Sequence, residues 1–164
     1  MTSPLDALDV RLLEVVQQAP RAGYVDWSQR VGVSRATVQA RLERMERTGV
    51  ITGYGPDIDL VRAGYPVRAL ATLEISQGAL NEVATELAKI PEVIEAVATT
   101  GAGDVLCRLA AVSHEDLQET LLRIDRIPGV ARSTSVIVLS SVVAPRYLPL
   151  FQAQPRPSPR RVRS

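Results

Sequence analysis

The feature that most constrains this chain is a repeat. Ile90-Pro91-Glu92-Val93 returns 37 residues later as Ile127-Pro128-Gly129-Val130. The same shift pairs Ser76 with Ser113, Leu80 with Leu117, Glu82 with Glu119, Ala84 with Leu121 and Leu87 with Ile124. Each half therefore carries one apolar helical stripe that stops at Ile-Pro, where the proline ring removes a backbone donor. Before the first stripe, Val67, Ala69, Ala71, Leu73 and Ile75 alternate as a strand does. Strands are also expected over 93–100, 105–112 and about 131–143, with a Gly101-Ala102-Gly103-Asp104 turn between the second and third. The order is strand, helix, strand, strand, helix, strand. Two tandem strand-helix-strand units of this kind make a ferredoxin-like βαββαβ sandwich.

Ahead of that sandwich the periodicity is purely helical. Leu5, Leu8, Leu12 and Val15 or Val16 recur at three and four residues, and Pro20 and Gly23 stop the helix. A short helix is expected over 26–31, then a Gly32-Val33-Ser34 turn, then a third helix over 35–48 with Ser34 as its cap and Gly49 as its end. Val50 to Ile58 mixes strand formers with turn formers and is expected to be a small hairpin, or wing. The fold class is thus α+β, an N-terminal winged helix-turn-helix with a C-terminal ferredoxin-like domain. The expected boundaries are 1–58 for the first domain, 59–66 for a linker, 67–145 for the second domain and 146–164 for a tail.

A short helix, a tight turn and a capped helix form the layout that puts a recognition helix into the DNA major groove. At about 100° per residue, the third helix turns Val38, Leu42 and Met45 inward. Thr37, Arg41, Arg44 and Arg47 share one flank, and Gln39, Glu43 and Glu46 share the other. A solvated helix more often mixes its signs. Arginine grips phosphate and reads guanine, and the first-turn amides behind Ser34 suit a phosphate.

Composition agrees with a soluble, cytoplasmic protein. Of 164 residues, 46% are hydrophobic and 23% charged, enough for a core and a polar surface. The net charge of +1 says little, because DNA binding depends on where charge clusters. Only Cys107 is available as a thiol, so neither a disulfide nor a cysteine metal cluster is expected. No membrane association, metal or cofactor is expected.

The stretches Leu5-Asp6-Ala7-Leu8-Asp9, Val31-Gly32-Val33-Ser34 and Arg41-Leu42-Glu43-Arg44-Met45-Glu46-Arg47-Thr48-Gly49-Val50-Ile51 resemble the Lrp/AsnC family of feast/famine, leucine-responsive regulators. The resemblance spans about residues 5–145. It implies a homodimer whose sensing domains pair their sheets, in many members assembling further to an octamer. It also implies promoter DNA as partner and an amino acid or related metabolite bound between subunits. By position Ser34, Arg35, Thr37, Arg41 and Arg44 are the implied DNA contacts; Arg47 joins them from the helical wheel. Gly101, Ala102, Gly103 and Asp104, with Ser133 and Ser135 on the last strand, are the implied effector site.

The chain departs from the family at several points. Trp27 and Ser28 stand where Leu and Ala are usual, and Trp27 reads best as a core filler. The family often has Gly-Asp-Tyr-Asp at the sensing turn, so one carboxylate and one aromatic are missing here. Glycines at such a turn also have a purely conformational use, as suppliers of positive φ.

Other functions on this layout are an oligomeric scaffold and a sirohaem-decarboxylase-like enzyme. His114, the only histidine, sits at a helix start beside Glu115 and Asp116, which suits a helix terminus better than catalysis. No catalytic residue is assigned. The tail carries Arg156, Arg160, Arg161 and Arg163 among Pro155, Pro157 and Pro159. Such a segment cannot pack a core; it adds non-specific DNA affinity or is a solvated extension.

Overall fold

The computed structural model describes residues 5–153. The arginine- and proline-rich segment of the tail lies outside them. Two compact units are present among these residues, one formed by residues 5–56 together with residues 144–153, the other by Asp57–Val143.

The first unit is helical. Helix α1 spans Ala7–Gln18, α2 Tyr24–Val31 and α3 Arg35–Arg47. Leu8, Leu12, Val16, Trp27, Val31, Val38, Leu42 and Met45 form its core. Helix α2 ends on Gly32 at φ +76°, whose amide donates to Ser28 O. That left-handed residue turns the chain within two positions into the Ser34 cap of α3. Trp27 is buried, and its Nε1 donates to Ala19 O at 3.0 Å, closing the end of α1. Its ring meets Tyr24 edge-on, with centroids 5.8 Å apart. The indole thus fills the core and also supplies a hydrogen bond that a leucine lacks.

The expected wing is absent. Residues 52–59 form no strand, although Ile51 still packs on the helical core. Gly53, Gly55 and Pro56 interrupt the run, and an isolated short hairpin with no sheet to lie on has little to hold it. The N-terminal unit is a helix-turn-helix without a hairpin. The chain also returns to this unit where only a tail was expected. A short helix α6, Leu148–Gln152, brings Phe151 against the same core.

The second unit is a four-stranded antiparallel sheet in the order β2-β3-β1-β4, with β1 Val67–Ile75, β2 Val93–Ala98, β3 Val105–Ala111 and β4 Val130–Ile137. Helices α4, Leu80–Leu87, and α5, His114–Asp125, cover one face. Ala69, Ala71, Leu73, Val105, Cys107 and Leu109 meet Val83, Leu87, Leu117 and Ile124 in its core. The repeat has a physical counterpart here. Ile90 N donates to Leu87 O and Val93 N to Ile90 O, and Ile127 N and Val130 N repeat both bonds on Ile124 O and Ile127 O. Both isoleucines are buried, so each Ile-Pro plugs the base of its helix while turning the chain into a strand.

The last strand is shorter than its sequence suggests. Ladder bonding ends with Val138 N on Arg68 O, because β1 begins at Val67 directly after Pro66 and offers no further partner. Beyond that point Leu139 and Val142 are each 94% exposed. Residues 59–66, read as a linker, form a local turn in which Asp59 Oδ1 accepts from Val61 N and Arg62 N.

Candidate nucleic-acid interface and sensing turn

Helix α3 begins on Ser34, whose Oγ accepts from Thr37 N at 3.1 Å, with the two hydroxyls 2.8 Å apart. Val38, Leu42 and Met45 are buried, which fixes the rotation of the helix. The outward stripe is then Arg35, Ala36, Gln39, Ala40, Glu43, Glu46 and Arg47, all exposed. Arg35 and Arg47 stand at its two ends and make no ion pair with another described residue. Gln39 Nε2 donates to Glu43 Oε1 at 2.9 Å. Tyr54 Oη donates to Glu46 Oε1 at 2.5 Å, and burial together with this carboxylate raises the phenol pKa.

The arginine flank has a different surrounding from its two ends. Arg41 Nη1 bonds Asp6 Oδ2 at 2.5 Å and Asp9 Oδ1 at 3.0 Å, and Arg44 Nη2 bonds Asp9 Oδ2. The Arg41 and Arg44 side chains are only 23% and 28% exposed. The two aspartates form the capping box of α1. Asp6 Oδ1 accepts from Leu8 N and Asp9 N, and Asp9 Oδ2 accepts from Asp6 N. Burial works to raise the Asp6 pKa, but Arg41 and the two amides outweigh it and hold the carboxyl below its usual value. Burial likewise works to lower Arg41, and Asp6 and Asp9 outweigh it. Sequence reasoning gave these aspartates no role. Their signal was present, as two aspartates three apart in front of an apolar stripe.

The turn at 101–104 is closely tied to β1. Thr99 Oγ1 donates to Gly103 O at 2.8 Å, Thr99 N to Asp104 O, and Asp104 N to Leu73 O. Asp104 Oδ2 accepts from Ile75 N at 2.8 Å, where the β1–β4 register shifts. Within the turn, Gly101 has positive φ, at +118°, and Gly103 does not. Gly103 is buried for another reason, since a Cβ there would overlap Thr72 Cγ2.

Ser133 pairs with Leu73 across β1, so it and the turn lie at one end of the sheet, about 10 Å apart by strand spacing. Ser135 pairs with Ala71 one step further in and is exposed. Ser133 Oγ donates to Asp125 Oδ1 at 2.5 Å, beside a shallow cavity of 290 Å³ that Arg132 also lines. An apolar groove of 310 Å³ runs between α4 and β2, past Leu87, Ile94 and Val105. The turn lines neither of these two cavities. His114 is exposed at the first position of α5, behind the Ser113 cap.

Known proteins share both units. A family model described as the AsnC-type helix-turn-helix domain matches residues 5–46, and one described as the Lrp/AsnC ligand binding domain matches residues 68–148. The HTH-type transcriptional regulator FL11 of Pyrococcus horikoshii is 31% identical over 150 residues, covering 92% of this chain and 99% of the relative. The chain belongs to the Lrp/AsnC family. Among solved structures, E. coli AsnC superposes with a TM-score of 0.83 at 28% identity, covering 90% of this chain and all of that one. A Neisseria meningitidis transcriptional regulator in complex with L-Met also superposes at 0.83, with 25% identity over 92% of this chain and all of that one. This Lrp/AsnC-family chain is therefore a transcriptional regulator with a DNA-binding helix-turn-helix and a ligand-binding domain, in a family that is oligomeric. Among its described residues no helix is long and apolar enough to cross a membrane.

Proposed function

We propose that this regulator binds promoter DNA sequence-specifically through α3, as a homodimer able to assemble to an octamer, and that an amino acid bound between subunits modulates it. The observation that carries the reading is the exposed stripe of α3, with a capped N-terminus and, at each end, an arginine that forms no ion pair among the described residues. Ser34, Arg35, Thr37 and Arg47 line the DNA side and supply phosphate contacts. Arg41 and Arg44 serve DNA binding mainly by locking α3 onto α1, and reach phosphate only along their solvent-facing edge.

The uncovered sheet face supports dimer formation. Val97, Leu106, Leu70 and Val136 lie on it, with Val97 and Val136 well exposed. An amino acid effector fits at Gly101, Ala102, Gly103, Asp104, Ser133 and Ser135 only with a second subunit. Within one chain β1 separates the turn from the serines, and the Asp104 and Ser133 side chains already have partners. The missing carboxylate and aromatic of the turn point to altered ligand selectivity. The complex with L-Met known for the Neisseria relative makes amino acids the first class to test.

Fluorescence anisotropy with the upstream DNA of its own gene, repeated from low to physiological salt, tests the DNA reading. Affinity should fall steeply with salt, and Arg35→Ala and Arg47→Ala should each flatten the slope by about one unit. Salt-insensitive or absent binding refutes it. Calorimetry and light scattering with each of the twenty amino acids test the effector. No heat and no change in mass with any of them refutes that half alone.

A further inference from the structure

We infer that Gln39 reads an adenine in the major groove, with Glu43 as the residue that sets the orientation of its amide. This rests on the reading of α3 as the recognition helix and adds the base that the helix selects.

Docked recognition helices contact base edges through their N-terminal residues. In the first two turns of α3 the outward positions are Arg35, Ala36, Gln39 and Ala40. Arg41 is held by Asp6 and Asp9, and Thr37 by the Ser34 cap, so neither competes for the groove floor. Of the outward four, Gln39 alone carries both a donor and an acceptor, the pair that adenine N7 and N6–H₂ require. Arg35 carries donors only, which suit phosphate or guanine and not adenine's donor–acceptor pair.

The hydrogen bond to Glu43 decides which way the amide faces. Glu43 Oε1 takes one of the two Nε2 hydrogens. The second hydrogen and the Oε1 acceptor of Gln39 remain for the base. Flipping the amide would set its oxygen against the carboxylate, which is repulsive. The side chain is thereby oriented before it meets DNA, at low entropic cost. Ala36 and Ala40 flank Gln39 on the same surface and bring only methyl groups. They let the helix approach closely and suit the thymine C5-methyl group. The expected half-site therefore contains an A·T pair with a neighbouring thymine.

The test is selection of bound sequences from a randomised duplex pool by the full chain and by two variants. Wild type should enrich a motif with a fixed adenine. Gln39→Ala should lose that preference and weaken binding to the selected site on the order of tenfold, leaving the salt slope unchanged. Glu43→Ala should keep most of the affinity but blur adenine against guanine at the same position, which a purely structural role would not do. Both residues are exposed, and alanine favours the helix, so both variants keep the fold. If Gln39→Ala selects the wild-type motif unchanged, the inference is overturned while DNA binding stands. If wild type enriches nothing and binds no duplex, the reading beneath it falls as well.

Discussion

Arg44 reaches from the last turn of α3 to Asp9 in the first turn of α1, placing a guanidinium on a carboxylate with no exposed surface. The bond joins a helix terminus to the recognition helix. Asp9 also accepts from Asp6 N and from Arg41, so one buried side chain completes a helix cap and bridges two cations, whose charge it balances together with Asp6. Arg44 Nε is buried without a hydrogen-bond partner, leaving Asp9 as its main compensation.

Asp9→Ala should therefore be among the most damaging changes in the helical unit. Removing one partner of a buried pair typically costs about 3–5 kcal/mol. The lower part of that range is expected, since both arginines keep an edge toward water. Urea unfolding followed by circular dichroism measures it. Arg47→Ala, on the exposed stripe, should change the unfolding free energy by less than about 0.5 kcal/mol. Equal effects of the two substitutions would contradict the packing described.

Asp6 makes the helical unit acid-sensitive in a defined direction. Its folded pKa lies below the unfolded value of about 3.9. The stability it contributes is fully present above that unfolded value and is lost as pH falls through the depressed folded value. Thermal melts between pH 6 and pH 2 should decline most steeply below about pH 4. Asp6→Asn keeps a capping oxygen but not the charge, so its melts should start lower and decline less. A parallel decline in the variant would assign the acid sensitivity to other carboxylates.

Much of this architecture is legible in the residues, and the exceptions have physical causes. The sheet unit reads clearly because its helix stripes, strand alternation and Ile-Pro stops repeat with one fixed shift. Local pattern overstates β4, because strand formers at 138–143 meet no partner once β1 has begun at Val67. The same holds for the hairpin expected at 50–58, where strand and turn residues are present but no sheet is there to receive them. Of the expected flank, Thr37, Arg41 and Arg44 are half-buried while Arg47 stands on the exposed stripe, and a helical wheel cannot show that α1 brings two aspartates to Arg41 and Arg44. Gly103 looked like a residue chosen for positive φ; the constraint there comes from Thr72, thirty-one residues away in sequence.

Cys107 should be chemically silent in the folded chain. It faces the helix side of β3 with no exposed surface, and burial pushes its thiol up to about 11. The thiolate is the reactive form, and at pH 8 only on the order of one in a thousand is deprotonated. Ellman's reagent should label it only as fast as the sheet unit opens, with the rate rising in urea. Rapid stoichiometric labelling in buffer would mean that the α4–α5 cover over the sheet is open in solution.

The two glycines of the sensing turn should fail for different reasons, and a double-mutant cycle separates them. At Gly103 a Cβ would overlap Thr72 Cγ2 and lie 3.3 Å from Leu73 O, so Gly103→Ala is an overpacking change costing about 1–3 kcal/mol. Thr72→Ser removes the offending methyl and should restore part of that loss. Gly101→Ala meets no atom within 4 Å, but its φ of +118° is one that an L side chain rarely adopts. Its cost of order 1–3 kcal/mol is conformational, so Thr72→Ser should leave it unchanged. Urea midpoints of the three single and two double variants, beside wild type, measure both couplings. A coupling confined to the Gly103–Thr72 pair means that β1 sets the shape of the turn. Equal coupling at both glycines would instead mean that the turn shifts as one body, and the close approach of Gly103 to β1 would not be what holds it.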